Sequence, residues 1–106
     1  MKKYVFYIFP GIDIEGGVGM VRIYDMKQKE IINIIDGSRL GYICDIEIDL
    51  REGRIVKIIV PGPGKIFGMF GREMEYQIPW SCIKKIGEDI ILVDIDPKEI
   101  LREIEY

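Results

Sequence analysis

Apolar and polar positions alternate most clearly over Leu40–Ile48, where Leu40, Tyr42, Cys44, Ile46 and Ile48 share one parity and Asp45, Glu47 and Asp49 take the other. Period two is the spacing of a strand with one buried and one wet face, so the stretch is expected to run as one strand with the apolar set inward. The alternation stops at Leu50-Arg51-Glu52-Gly53, where Gly53 supplies the positive φ that a short turn needs, and Arg54–Val60 is then almost wholly apolar. A hairpin across Arg39–Pro61 follows. Before it the pattern gives a short apolar segment at Val21–Tyr24, a polar turn or single helical turn at Asp25–Lys29, and a strand at Glu30–Ile35 closed by Asp36-Gly37-Ser38. After it come strands at Glu75–Pro79, Ser81–Ile86 and Ile90–Ile95, the last two joined through Gly87-Glu88-Asp89. Six short strands with tight turns predict an all-β fold, a small barrel or roll.

Two stretches break this rhythm. Gly62–Met74 (GPGKIFGMFGREM) is a loop by its glycines and Pro63, yet Ile66, Phe67, Met69 and Phe70 make it apolar. Either it folds over a barrel mouth as a plug or it presents a patch to a partner. The end of the chain, DPKEILREIEY, carries a helix start: Asp96 as N-cap, Pro97 at the first helical position, and Glu99 at capping-box spacing. A short amphipathic helix over 96–106 is expected, with Ile100, Leu101 and Ile104 on one face.

Composition narrows the chemistry. The 106 residues suffice for one domain. There is no Ala and no Thr, and glycine numbers 12, which favours strands over helices. The net charge of −3 argues against a protein whose main task is to coat phosphates. Histidine is absent, which removes Ser-His-Asp and Cys-His activation and His-ligated metals; no catalytic residue, cofactor or metal site is expected. Cys44 and Cys82 lie far apart in sequence and outside any C-x-x-C pair, and are expected as reduced core thiols. Gly62-Pro63-Gly64-Lys65 lacks Walker spacing, because Ile59 stands at the first glycine and Ile66 at the Ser/Thr. Asp45, Glu47 and Asp49 read as a solvated acidic face that discourages edge pairing rather than as cation ligands. Trp80 reads as a core residue that closes the barrel, with Pro79 at a strand end or bulge.

The N-terminal apolar run of Met1–Phe9 ends at Pro10 and is too short to span a membrane or serve for export. Glu15-Gly16-Gly17 can be encoded by a purine run containing the core of a bacterial ribosome-binding site, just before Met20. Translation is therefore expected to start at Met20, with 1–19 as a mis-called or flexible extension; the alternative is a strand at Tyr4–Phe9 followed by a glycine linker.

Lys29-Glu30-Ile31-Ile32, Asp36-Gly37-Ser38-Arg39-Leu40-Gly41-Tyr42 and Gly53-Arg54-Ile55 together resemble the PRC-barrel domain. So do Ile78-Pro79-Trp80-Ser81 and Lys85-Ile86-Gly87-Glu88-Asp89-Ile90-Ile91. Within that family the loop Pro63-Gly64-Lys65-Ile66-Phe67-Gly68-Met69-Phe70-Gly71 resembles the YlmC/YmxH-type sporulation proteins of spore-forming bacteria. The resemblance covers 20–95 and implies a small antiparallel β-barrel. Relatives such as the reaction-centre H subunit and a ribosome-maturation factor use this barrel as an adaptor on proteins or ribonucleoprotein, without catalysis. It implies a cytoplasmic, sporulation-associated binding module. The expected contact residues are Lys65, Ile66, Phe67, Met69, Phe70 and Arg72, facing a protein partner or a second copy. A small RNA-binding protein that stacks Phe67 and Phe70 and uses Lys65, Arg72, Lys84 and Lys85 on phosphate is the alternative.

Overall fold

The computed structural model describes Asp13–Ile14 and residues 20–63 and 73–104. The chain runs β1 (Asp13–Ile14), α1 (Ile23–Lys27), β2 (Glu30–Asn33), β3 (Arg39–Tyr42), β4 (Asp45–Asp49), β5 (Arg54–Pro61) and β6 (Met74–Pro79). A 3-10 turn (Trp80–Cys82), β7 (Ile83–Ile86), β8 (Ile90–Val93), α2 (Pro97–Ile100) and β9 (Leu101–Glu103) complete it. The strands form two sheets, one ordered β1-β7-β8-β2-β3 and the other β4-β5-β6-β9. The expected small β architecture is therefore present as two sheets.

The expectation of a purely antiparallel fold needs correction, because β2 pairs with β8 in parallel, Glu30 opposite Ile90 through Asn33 opposite Val93. A parallel pair needs a long crossover. Here the second sheet provides it: the chain leaves the first sheet after β3, builds β4, β5 and β6, and returns through the 3-10 turn to β7 and β8. β1 adds a second parallel pairing, Asp13 with Lys85 and Ile14 with Ile86, at the edge of the first sheet. The proposed strand at Tyr4–Phe9 lies outside the described residues.

The first of these crossings overturns the single strand expected over Leu40–Ile48. β3 and β4 belong to different sheets, and the corner between them reverses the inward parity: Ile43 is buried at 3% exposure while Tyr42 is exposed at 51%. Cys44 is exposed too, so the expectation of a core thiol fails for it; Cys82 is half-buried, and both thiols are free. The hairpin that follows is as expected. β4 pairs antiparallel with β5, Gly53 adopts φ +64°, and its N–H donates to Asp49 O at 2.8 Å. The second half of β5, Ile58, Ile59 and Val60, is buried on both faces, which is why that run is continuously apolar.

The core is dominated by isoleucine, with Ile31, Ile58, Ile78 and Ile91 at 0% exposure. β-branched side chains suit strand backbones and lose little rotamer freedom there. Met26 is the buried residue of α1, and Lys29 just beyond the helix donates from Nζ to Gly87 O at 2.7 Å and to Glu88 O at 2.6 Å, tying that segment to the β7–β8 turn. Pro79 ends β6 and Trp80, half-buried, packs against the core from the 3-10 turn.

The C-terminal helix is also shorter than expected. Asp96 does cap it, accepting from Lys98 N at 3.0 Å, and Pro97 is its first residue, but it ends at Ile100. From Leu101 the backbone extends as β9 and pairs antiparallel with β6, Tyr76 opposite Leu101. Sheet hydrogen bonds over three residues replace helical ones in a segment too short to hold a helix alone.

Candidate functional site

The loop singled out by sequence rises from the β5–β6 hairpin. Its stem is well defined: Pro61 pairs with Glu75, Val60 with Tyr76, and Gly62 N donates to Met74 O at 2.9 Å. A Cβ on Gly62 would lie 2.7 Å from Met74 O and 2.8 Å from Met74 C, closer than backbone atoms allow, so glycine is required for the two chains to approach. On the outer side, Ile104 N donates to Glu73 O at 2.9 Å, extending the β6–β9 ladder to the loop's last residues. The contact residues expected from sequence, Lys65, Ile66, Phe67, Met69, Phe70 and Arg72, lie outside the described residues. What the structure supplies is the stem at the two ends of the loop.

The other sequence candidates are placed individually. Lys84 is exposed and Lys85 half-buried on β7, in the five-stranded sheet, whereas the loop springs from the four-stranded one. Asp45 and Glu47 face solvent, but Asp49 is the half-buried last residue of β4, and its Oδ1 accepts from Arg51 N at 2.9 Å and Glu52 N at 3.3 Å in the turn that follows. The three acidic residues therefore do not act as one ligand set. Cys44 lies at the surface near Glu75 and Asp45; partial desolvation first, then these carboxylates, raise its thiol above the ordinary value, which disfavours a thiolate. Burial likewise raises the Tyr76 phenol.

Two features had no clear signal in the sequence. Arg39 forks onto Glu30 across β2 and β3, with Nη2–Oε1 at 2.7 Å and Nε–Oε2 at 3.0 Å. The Arg39 hydrogen bond holds the Glu30 carboxyl below its usual value, and Glu30 in turn raises Arg39. The second is an open cleft of about 640 Å³ where β5 and β6 meet the end of β8 and α2, with Val56, Pro79, Asp94, Ile95, Glu99 and Ile100 among its walls. Separate elements assemble it, so neither period nor motif announces it.

Among the described residues no helix is long and apolar enough to cross a membrane. The family model described as the PRC-barrel domain matches residues 18–100. A protein of Bacillus subtilis called "Probable sporulation protein YlmC" is 47% identical over 74 residues, 70% of this chain and 91% of the relative. An uncharacterised protein of Clostridium acetobutylicum is 44% identical over 71 residues, 67% of this chain and 80% of the relative. The uncharacterised YmxH protein of Bacillus subtilis is 34% identical over 82 residues, 76% of this chain and 94% of the relative.

Proposed function

This chain belongs to the PRC-barrel family, in its YlmC/YmxH-type branch, and from that premise we propose that it is a non-catalytic adaptor that docks on a protein partner through the apolar, glycine-rich loop 62–74. The observation that carries the reading is the stem. The Gly62–Met74 bond and the Pro61–Glu75 pairing hold the two ends of the loop together, and the sequence between them carries Ile66, Phe67, Met69 and Phe70. Rigid presentation of large apolar groups is what a docking patch needs, because less ordering entropy is lost on binding. The name of the Bacillus relative supports a role in sporulation. We place the module in the cytoplasm of the sporulating cell, where the same patch also serves pairing of two copies.

The test is affinity capture from extract of sporulating cells, with and without nuclease, comparing wild type with the Phe67→Ser/Phe70→Ser double variant at low and high salt. A protein retained by wild type at both salts and lost by the double variant supports the reading. Capture that disappears with nuclease or with salt overturns it in favour of RNA, since phosphate contacts weaken steeply with salt and apolar contacts do not.

A further inference from the structure

The cleft between β5–β6 and α2 combines two kinds of lining. Val56, Pro79, Ile95 and Ile100 are apolar, and Val56 keeps 42% of its surface exposed. Asp94, Asp96 and Glu99 are exposed along the wall formed by the end of β8 and α2. The cleft also contains two cations, yet both are turned to acceptors of their own chain. Lys57 Nζ donates to Gln77 Oε1 at 3.1 Å and sits 3.9 Å from Glu47. Arg102 Nη1 donates to Glu99 O at 2.6 Å and Leu101 O at 2.9 Å.

Among the described residues the Asp94 and Glu99 carboxylates make no ion pair. The cleft therefore has an excess of negative charge beside apolar surface that water covers poorly. Among the described residues no group of three acidic or thiol side chains comes together to hold a metal ion. Carboxylates set beside apolar surface are complemented by a cation carried on a chain that also brings apolar groups.

We propose that this cleft is a second docking site, independent of the loop, for an extended basic segment of a protein, which lays an aliphatic side chain against Val56, Pro79 and Ile100 and a Lys or Arg against Asp94 and Glu99. Charge sets the orientation and encounter rate, and the apolar contact supplies the affinity.

The probe is a fluorescein-labelled peptide of alternating Lys and Leu, followed by anisotropy, with Lys-Ser and Glu-Leu peptides as controls. The Lys-Leu peptide is expected to bind, and both controls to bind at least about tenfold more weakly, a difference of about 1.4 kcal/mol. The Asp94→Asn/Glu99→Gln variant, which changes only surface groups, should lose a similar factor. Amide shifts on titration should cluster at Val56, Ile95 and Ile100. The Phe67→Ser/Phe70→Ser variant should bind the peptide as wild type does, which separates this site from the loop. Each of the following would overturn the proposal: no binding, equal binding of the Lys-Ser peptide, displacement by spermidine as efficient as by Lys-Leu, shifts centred on Asp45 and Glu47, or binding lost with the loop variant.

Discussion

Asn33 is a polar side chain at 0% exposure, and its amide works as a short piece of strand. Nδ2 donates to Ile95 O at 3.0 Å, and Oδ1 accepts from Ile95 N at 3.4 Å and Ile35 N at 3.3 Å. It thus continues the parallel β2–β8 ladder beyond Val93 and fixes the chain where it leaves the sheet for α2. Replacing it with Leu keeps the branched outline and strands the Ile95 backbone groups; a loss of about 2 kcal/mol in urea unfolding is expected, on the usual cost of unpaired buried groups. Asn33→Asp separates hydrogen bonding from charge. Burial and the Ile95 carbonyl raise the folded-state pKa of such an Asp above its unfolded value, so the variant is near wild type in acid and loses stability as pH rises through that folded value. A pH-independent deficit would contradict this. Glu30 has the opposite sign. Its pKa is lowered in the folded state by Arg39, so its contribution is present above the ordinary carboxylate value and lost as pH falls through the folded one. The pair is exposed and the effect small; Glu30→Gln should flatten the acid limb of a melting-temperature profile, and an unchanged limb would show that the fork adds nothing.

At the scale of elements, the β5–β6 stem depends on close backbone contact, so Gly62→Ala must push apart the strands that carry the loop. Overpacking of this kind costs about 1–3 kcal/mol, and the variant should melt earlier while Gly53→Ala, strained only in its turn, is milder. Equal losses would mean that the Gly62 approach carries no special load. Sequence carried the elements whose cause is local. Gly53 marks its turn, the apolar run Arg54–Val60 marks the second strand of the hairpin, and Asp96-Pro97 marks the start of α2. It missed what is decided by distant partners. Strict alternation through Tyr42 and Cys44 cannot register a corner at which the chain changes sheets, and a cap fixes where a helix begins but not that β6 captures Leu101–Glu103 one turn later. The loop stood out because its apolar composition conflicts with its glycines, while the cleft, divided among β5, the end of β8 and α2, left no trace. Hydrogen exchange checks the β9 assignment: the Ile104 amide, bonded to Glu73 O, should be protected, whereas a fraying helix end would exchange freely.

For the whole molecule, every core residue named among the described ones lies at Met26 or beyond, and β1 pairs Asp13 and Ile14 with β7. A chain beginning at Met20 should therefore fold with at most a modest fall in melting temperature; loss of cooperative unfolding would make the leader part of the fold. If loop 62–74 is a docking patch, the two-sheet scaffold stands without its aromatic side chains. The direct measurement is thermal unfolding of Phe67→Ser/Phe70→Ser together with its mass in solution and its capture of the partner. Two phenylalanines buried as a plug would cost about 6–10 kcal/mol between them. For a docking patch, melting should hold or rise slightly while association falls; a double variant that melts far earlier than wild type, with association state unchanged, would make the loop a plug.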